Sequence, residues 1–253
     1  MKFDANGLFE QELARRGLAY VREDESAYRI QLDGGEVVAN LTNIIRNAER
    51  DDDVGVIARY LDQVIGAIRA TIPEWREASH LLFFSAEPAD QDFGEAVTRT
   101  VTEEVARVLT LTDAQQSRLT WVTPQMCSTW GVTPAEASAM ALTNQDTLLD
   151  GLELQFDEVD GHRLGMIPLD SPYKASVIFA PRFKQCVQGA LGWPVLVVVP
   201  CRDFIYVVSD NSPLLNRMGS VVVREFSESG YPITTEVIRV SDEGLSGIGK
   251  FPV

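Results

Sequence analysis

The chain predicts an α+β fold of mostly antiparallel sheets formed by hairpins, with packed amphipathic helices. Three observations carry this. Short strand-like runs arrive in pairs around tight-turn residues, Asp33-Gly34-Gly35 and Asp160-Gly161 among them. Helical periodicity falls between these groups of strands and does not alternate with single strands. The 253 residues, 45% hydrophobic and 23% charged, are ordinary for a globular protein, and a chain this long needs no disulfide or metal to hold its core.

In chain order, residues 7–14 place Leu8, Phe9 and Leu13 on one helical face, and Gly17 stops that helix. "AYVRE", "AYRIQLD" and "EVVANL" then read as short strands, the last two joined by "DGG". From Asp53 the period changes. Val54, Ile57, Leu61, Val64, Ile65, Ile68 and Ile72 follow helical spacing, with three Asp residues at the positive end and Pro73 closing it. "HLLFFS" reads as a buried strand.

Residues 86–95, "AEPADQDFGE", form an acidic loop and the best candidate for a break. That divides the chain into a helix-hairpin-helix region over 1–85 and an α+β region over 97–253, which can still pack as one domain. Residues 97–111 alternate like a strand at first and like a helix later. "RLTWV" is a strand. "TPQM" and "TPAE" are two helix starts of one kind: Thr123 caps before Pro124, and Thr133 caps before Pro134, with Glu136 completing a capping box. The second helix runs to about Leu149.

"LELQFDEVDGHRLGMI" is a hairpin turning at Asp160-Gly161. "SPYKASVIFAPRFKQCVQGALG" is a helix interrupted at Pro181 and stopped at Gly192. "SPLLNRMGSVVVREFSESG" has near-helical spacing, although its β-branched run suits a strand as well. "YPITTEVIRV" is a final strand. "GLSGIGKF" lacks the arrangement of a phosphate-binding loop and reads as tail.

Charge narrows the function. With 22 basic against 37 acidic residues, a net of −15, the chain has no basic stripe for nucleic acid and favours basic partners if any. The cysteines, Cys127, Cys186 and Cys201, are odd in number and widely spaced. With only His80 and His162 beside them they make no zinc site, so no metal and no cofactor is expected. The first residues are polar and amphipathic, unlike a signal peptide, and no apolar run approaches a membrane span. A cytoplasmic protein with three reduced thiols is the expectation.

The candidate ligand-binding residues are Arg202, Asp203, Asn144 and Cys201; no catalytic residue is assigned. Arg202 and Asp203 stand in "WPVLVVVPCRDFIYVVSD" between two runs that are apolar on both faces. "PCRD" is either a tight hairpin loop or a bulge, with Pro200 favouring a bend. The pair either presents a cation and an anion at a pocket rim or simply holds the turn. Both side chains are expected at a turn between buried strands, held by hydrogen bonds and away from bulk water. Asn144 shares the apolar face of Ala137, Ala141 and Leu148, where it must be hydrogen-bonded, either by backbone or by a ligand. Cys201 stands beside a cation that would lower a thiol pKa, but no base is evident for it.

The order of these features resembles the bacterial family typified by YtpQ. The matching stretches are "VVANLTNIIRN", "WVTPQMCSTWGVTPAEASAMALTNQDTLL", "ASVIFAPRFKQCV" and "VVVPCRDFIYVVS". The resemblance implies an intracellular bacterial α+β protein, with Ala141, Asn144, Pro200, Arg202 and Asp203 at recurrent positions. It implies no activity.

The leading expectation is a non-catalytic binding or adaptor module for a protein or small ligand. The rival is a hydrolase or transferase with its site at the Pro200–Asp203 turn, using Asp203 or Cys201 with Arg202 as an electrostatic clamp. A structural partner subunit with an exposed apolar patch is a third.

Overall fold

The computed structural model describes residues 4–32, 35–41, 44–45, 53, 55–69, 72–116 and 118–253. These contain seven helices and three antiparallel sheets, the α+β class that the hairpin pattern predicts. The chain divides into two compact units, residues 1–72 with 228–231, and residues 73–227 with 232–253.

In the smaller unit α1 (Ala5–Arg15) begins at Asp4, whose carboxylate accepts from Gly7 N at 2.9 Å. It ends at Gly17, with φ of 67°, where Gly17 N bonds Ala14 O and Leu18 N bonds Leu13 O, each at 3.0 Å. Strands β1 (Tyr20–Arg22), β2 (Ala27–Leu32) and β3 (Gly35–Asn40) form a three-stranded sheet in that order. Leu32 pairs with Gly35, while Asp33 and Gly34, expected as the turn, lie outside the described residues. Helix α2 (Gly55–Arg69) starts at the predicted place. Asp53 accepts from Gly55 N at 2.8 Å, and Asp51, Asp52 and Val54 lie outside the described residues. Phe9, Leu13, Tyr28, Ile30, Ile57 and Leu61 form this unit's core.

The larger unit begins with α3 (Trp75–Ala78), followed by β4 (Leu82–Pro88). Strand β6 (Val105–Thr112) pairs with β4 on one side and with β5 (Thr98–Thr100) and β7 (Leu119–Trp121) on the other. The ambiguous stretch 97–111 therefore holds two strands, β5 and the bulk of β6, joined by a tight connection. As the inner strand, β6 is buried on both faces, so it lacks the clean alternation of a half-exposed strand. The division between units falls at 72/73, ahead of residues 86–95, and residues 86–88, expected as loop, continue β4, which is hydrogen-bonded to β6 along its length.

Helices α4 (Pro124–Thr129) and α5 (Pro134–Thr147) start as their caps predict. Met126 N donates to Thr123 Oγ1 at 3.2 Å, and the Thr133–Glu136 capping box is complete. Strands β8 (Gln155–Val159) and β9 (His162–Met166) turn through Asp160 and Gly161, both at positive φ. A 3-10 helix over Ala175–Phe179 precedes α6 (Phe183–Leu191), which ends at Gly192 with φ of 80°.

Then come β10 (Val195–Cys201), β11 (Phe204–Ser209), α7 (Gly219–Glu228), β12 (Glu236–Ser241) and β13 (Gly244–Lys250). The six-stranded sheet has the order β13-β12-β10-β11-β9-β8. The segment "GLSGIGK", expected as tail, is its edge strand β13. A glycine-rich strand has little side-chain pattern to reveal it, but a Cβ at Gly247 would overlap the Glu236 carboxylate from β12.

Two packing layers explain why β10 is apolar on both faces. Val195, Val197 and Val199 join Leu82, Phe84, Leu109 and Ile238 in a core shared with the four-stranded sheet. Leu196 and Val198 face the opposite way, onto Leu214, Met218 and Val222 around α7.

Candidate functional site

Cys201 pairs with Phe204, which leaves Arg202 and Asp203 as a two-residue turn, while the register shifts between Val198 and Cys201. "PCRD" is thus both a hairpin turn and a bulge. The bend at Pro200 serves a neighbouring segment: Pro200 O accepts from Ile233 N at 2.9 Å, and Val199 O from Thr234 N at 3.4 Å.

From this turn Arg202 reaches the other sheet. Its Nη2 lies 2.6 Å from Glu87 Oε1 at the end of β4, and Ser85 Oγ donates to the same oxygen at 2.5 Å. The Glu87 residue is only 4% exposed, whereas the Arg202 side chain keeps 20%. Nearby, the Tyr173 hydroxyl is 3.0 Å from Thr110 Oγ1, which itself donates to Phe83 O at 2.9 Å. Burial pushes the Tyr173 hydroxyl up to about 12, with Thr110, Thr112 and Arg202 pulling against it and Glu87 adding to it. These groups form a polar seam between the two sheets.

Asp203 does not join it. Against expectation, the side chain is exposed and makes no ion pair among the described residues. It lies instead at a shallow cavity of about 340 Å³ with Gln116, Ser171 and Lys174. The two turn residues thus have different surroundings, Arg202 against Glu87 and Asp203 exposed at the tip.

Asn144 is buried, and its amide donates to Ser79 O at 2.7 Å and Leu82 O at 2.9 Å. Its neighbour Gln145, fully buried, accepts from Phe84 N at 3.1 Å and donates to Ser176 O at 2.9 Å. Ser176 Oγ accepts from Ala86 N at 2.8 Å. Residues 82, 84 and 86 are the alternate positions of β4 that face away from β6. Three side chains therefore replace a missing neighbour strand along this edge. Asn144 serves the start of β4 and Arg202 its end, five residues or roughly 16 Å along the strand. The structure does not bring them together.

Cys201 is 1% exposed, and none of Cys127, Cys186 and Cys201 is in a disulfide. Burial pushes the Cys127 and Cys186 thiols up. His80 lies in a 3-10 turn before β4 and His162 opens β9, neither on the turn that carries Cys201. Among the described residues, no group of three or more His, Cys, Asp or Glu side chains is placed to hold a metal ion. No described helix is long and apolar enough to cross a membrane.

Another concavity lies away from this turn. A cavity of about 480 Å³ runs beside the end of β13, with Phe226, Ile233 and Phe251 as apolar lining and Asp90, Glu103 and Glu104 as acidic lining. A second cavity of about 250 Å³ shares Glu103, Glu104 and Lys250 with it and adds Glu236, Gly247 and Gly249. Lys250 Nζ is 2.6 Å from Glu104 Oε1. Glu236 is 5% exposed and accepts from the Thr102 hydroxyl. Burial raises its carboxyl, reinforced by Glu104 and Glu103, against the pull of Thr102 and Lys250.

Sequence reasoning missed this region. A signal for Glu236 existed: it shares strand parity with Ile238, and both Ile238 and Val240 face the shared core. The convergence of Asp90, Glu103 and Glu104 had no such signal.

No protein-family model matches the chain, and no curated protein or solved structure matches it either. The resemblance to the YtpQ family rests on the quoted stretches alone.

Proposed function

We propose that the chain is a non-catalytic binding module of the cytosol that takes an extended, basic segment of a partner protein into the groove beside β13. One observation carries the reading: an apolar lining (Phe226, Ile233, Phe251) edged by carboxylates (Asp90, Glu103, Glu104) at the outer strand of a six-stranded sheet. Edge strands offer main-chain hydrogen bonds to an added strand, and alternate side chains can then meet pocket and rim. Charge complementarity selects a basic occupant, in keeping with the net charge of −15. Three cysteines outside any disulfide suit a reducing compartment.

The test uses a fluorescein-labelled peptide of alternating lysine and valine, titrated by anisotropy. Binding should weaken with added salt, and Glu103→Gln should weaken it severalfold. An acidic peptide of equal length should not bind. Binding that ignores both salt and Glu103→Gln, no binding at all, or a stable dimer of this chain that buries the groove would overturn the proposal.

A further inference from the structure

Arg107 of the larger unit stands in an unfavourable electrostatic setting. Arg107 on β6 is the cross-strand partner of Arg99 on β5, so two guanidinium groups share one face of the sheet. Like charges directly opposite one another destabilise a sheet. Neither makes an ion pair among the described residues, although the chain carries 37 acidic side chains against 22 basic ones. The Arg107 Nε is also the one buried side-chain nitrogen or oxygen among the described residues without a hydrogen-bond partner. An orphaned buried polar group calls for a physical reason.

Part of the compensation is the Phe84 ring, 4.5 Å from Arg107 Cζ. A ring quadrupole offsets desolvation only in part, and burial together with Arg99 still shifts Arg107 downward. Arg107 also lines a cavity of about 320 Å³ together with Phe179, Lys184, Trp193, Asp242 and Leu245. Asp242 does not neutralise Arg107. Its Oδ1 is 2.8 Å from Lys184 Nζ and 3.1 Å from Trp193 Nε1, so its charge is already matched. Lys184 Nζ in turn sits 5.2 Å from the Trp193 ring centre. Among the described residues, the Arg107 charge therefore has no ion-pair partner in a cavity with aromatic and aliphatic walls.

We infer that this cavity binds a small monocarboxylate with a flat apolar body, the carboxylate against Arg107 and the body against Trp193, Phe179 and Leu245. A single negative charge fits better than a phosphate dianion, because among the described lining residues only Arg107 is a cation without an ion-pair partner. The site shares no lining residue with the β13 groove, and the inference does not rest on the proposal made for that groove.

Benzoate is the probe, with benzamide as its uncharged counterpart and inorganic phosphate as the oxyanion without a body. The readout is the nitrogen–proton NMR signals of Arg107 Nε and Trp193 Nε1 in the full chain. Benzoate should shift both signals and saturate, at least about tenfold more tightly than phosphate, and benzamide should shift neither. Arg107→Met should abolish the Trp193 response while the protein stays folded by circular dichroism. If Arg107→Met does not fold, Arg99→Gln, on the exposed strand, should weaken benzoate binding severalfold. Equal responses to benzoate and benzamide, phosphate binding as tight as benzoate, or benzoate binding unchanged in the folded variant would overturn the inference.

Discussion

Arg202 and Glu87 tie the two sheets of the larger unit together, with the guanidinium of a β10–β11 turn 2.6 Å from a carboxylate at the end of β4. The two partners are not equivalent. Glu87 is 4% exposed as a residue, whereas the Arg202 side chain retains 20%, so only Arg202 can turn to water if it loses its partner. An uncompensated buried charge costs roughly 3 to 5 kcal/mol, and an exposed one far less. Arg202→Ala should therefore lower the urea-unfolding free energy by about 3 kcal/mol, while Glu87→Gln, which keeps an acceptor for Ser85, should cost about 1 kcal/mol. Costs within about 0.5 kcal/mol of zero would mean the pair does not hold the sheets, and equal larger costs would mean that Arg202 does not turn to water.

Asp203 should behave oppositely. Exposed at the tip and outside the polar seam, its replacement by alanine should change stability by no more than about 0.5 kcal/mol, the range of ordinary surface substitutions. The same urea series decides it, and a loss above about 1 kcal/mol would contradict the exposed placement.

The side chains along β4 should be separable by hydrogen exchange. Gln145 accepts from Phe84 N and Ser176 Oγ from Ala86 N. Gln145→Ala should speed native-state exchange of the Phe84 amide, and Ser176→Ala that of the Ala86 amide, each more than its neighbour. Asn144→Ala should cost about 2 kcal/mol, since it leaves the carbonyls of Ser79 and Leu82 without their donor. Uniform exchange in all three variants would argue against a side-chain-satisfied edge.

These contrasts show what a sequence makes legible. Capping residues act over three or four positions, so Thr123, Thr133, Glu136, Gly17 and Gly192 marked their helix ends correctly. Strand periodicity is also local, and β10 read as covered on both faces. Side-chain partnerships at long sequence separation leave no such trace. Nothing near Arg202 points to Glu87, 115 positions away, and nothing near Asn144 points to Ser79 and Leu82. A long-range partnership also hid β13, whose glycines read as tail until the Glu236 carboxylate lying against Gly247 is known. The cross-strand Arg99–Arg107 pair needs the register of two strands before it exists at all.

The cysteines should titrate in two classes. Cys127 and Cys201 are buried and Cys186 is half-buried, and burial raises the thiols of Cys127 and Cys186. A disulfide reagent at neutral pH should find Cys186 first in the native protein, slowly, and all three thiols after unfolding without reductant. A single thiol in the unfolded chain would reveal a bridge that the structure does not contain.

Glu236 should leave a signature in the pH dependence of stability. Burial raises its folded-state pKa above the ordinary carboxylate value, so between those two values the folded chain holds more protons than the unfolded one. Stability from this group is then highest at acid pH and falls as pH rises from the ordinary value through the raised one, the reverse of a salt-bridged carboxylate. Glu236→Gln keeps an acceptor for the Thr102 hydroxyl and removes the titration. It should flatten that slope and leave the protein at least as stable as the wild type at neutral pH. Gly247→Ala tests the same contact from the opposite strand, because its Cβ would overlap the Glu236 carboxylate. That variant alone should lose more than about 1 kcal/mol, and adding Glu236→Ala should recover part of the loss, as expected for residues in direct contact. If the two changes are additive in urea unfolding, Gly247 is not there to admit Glu236.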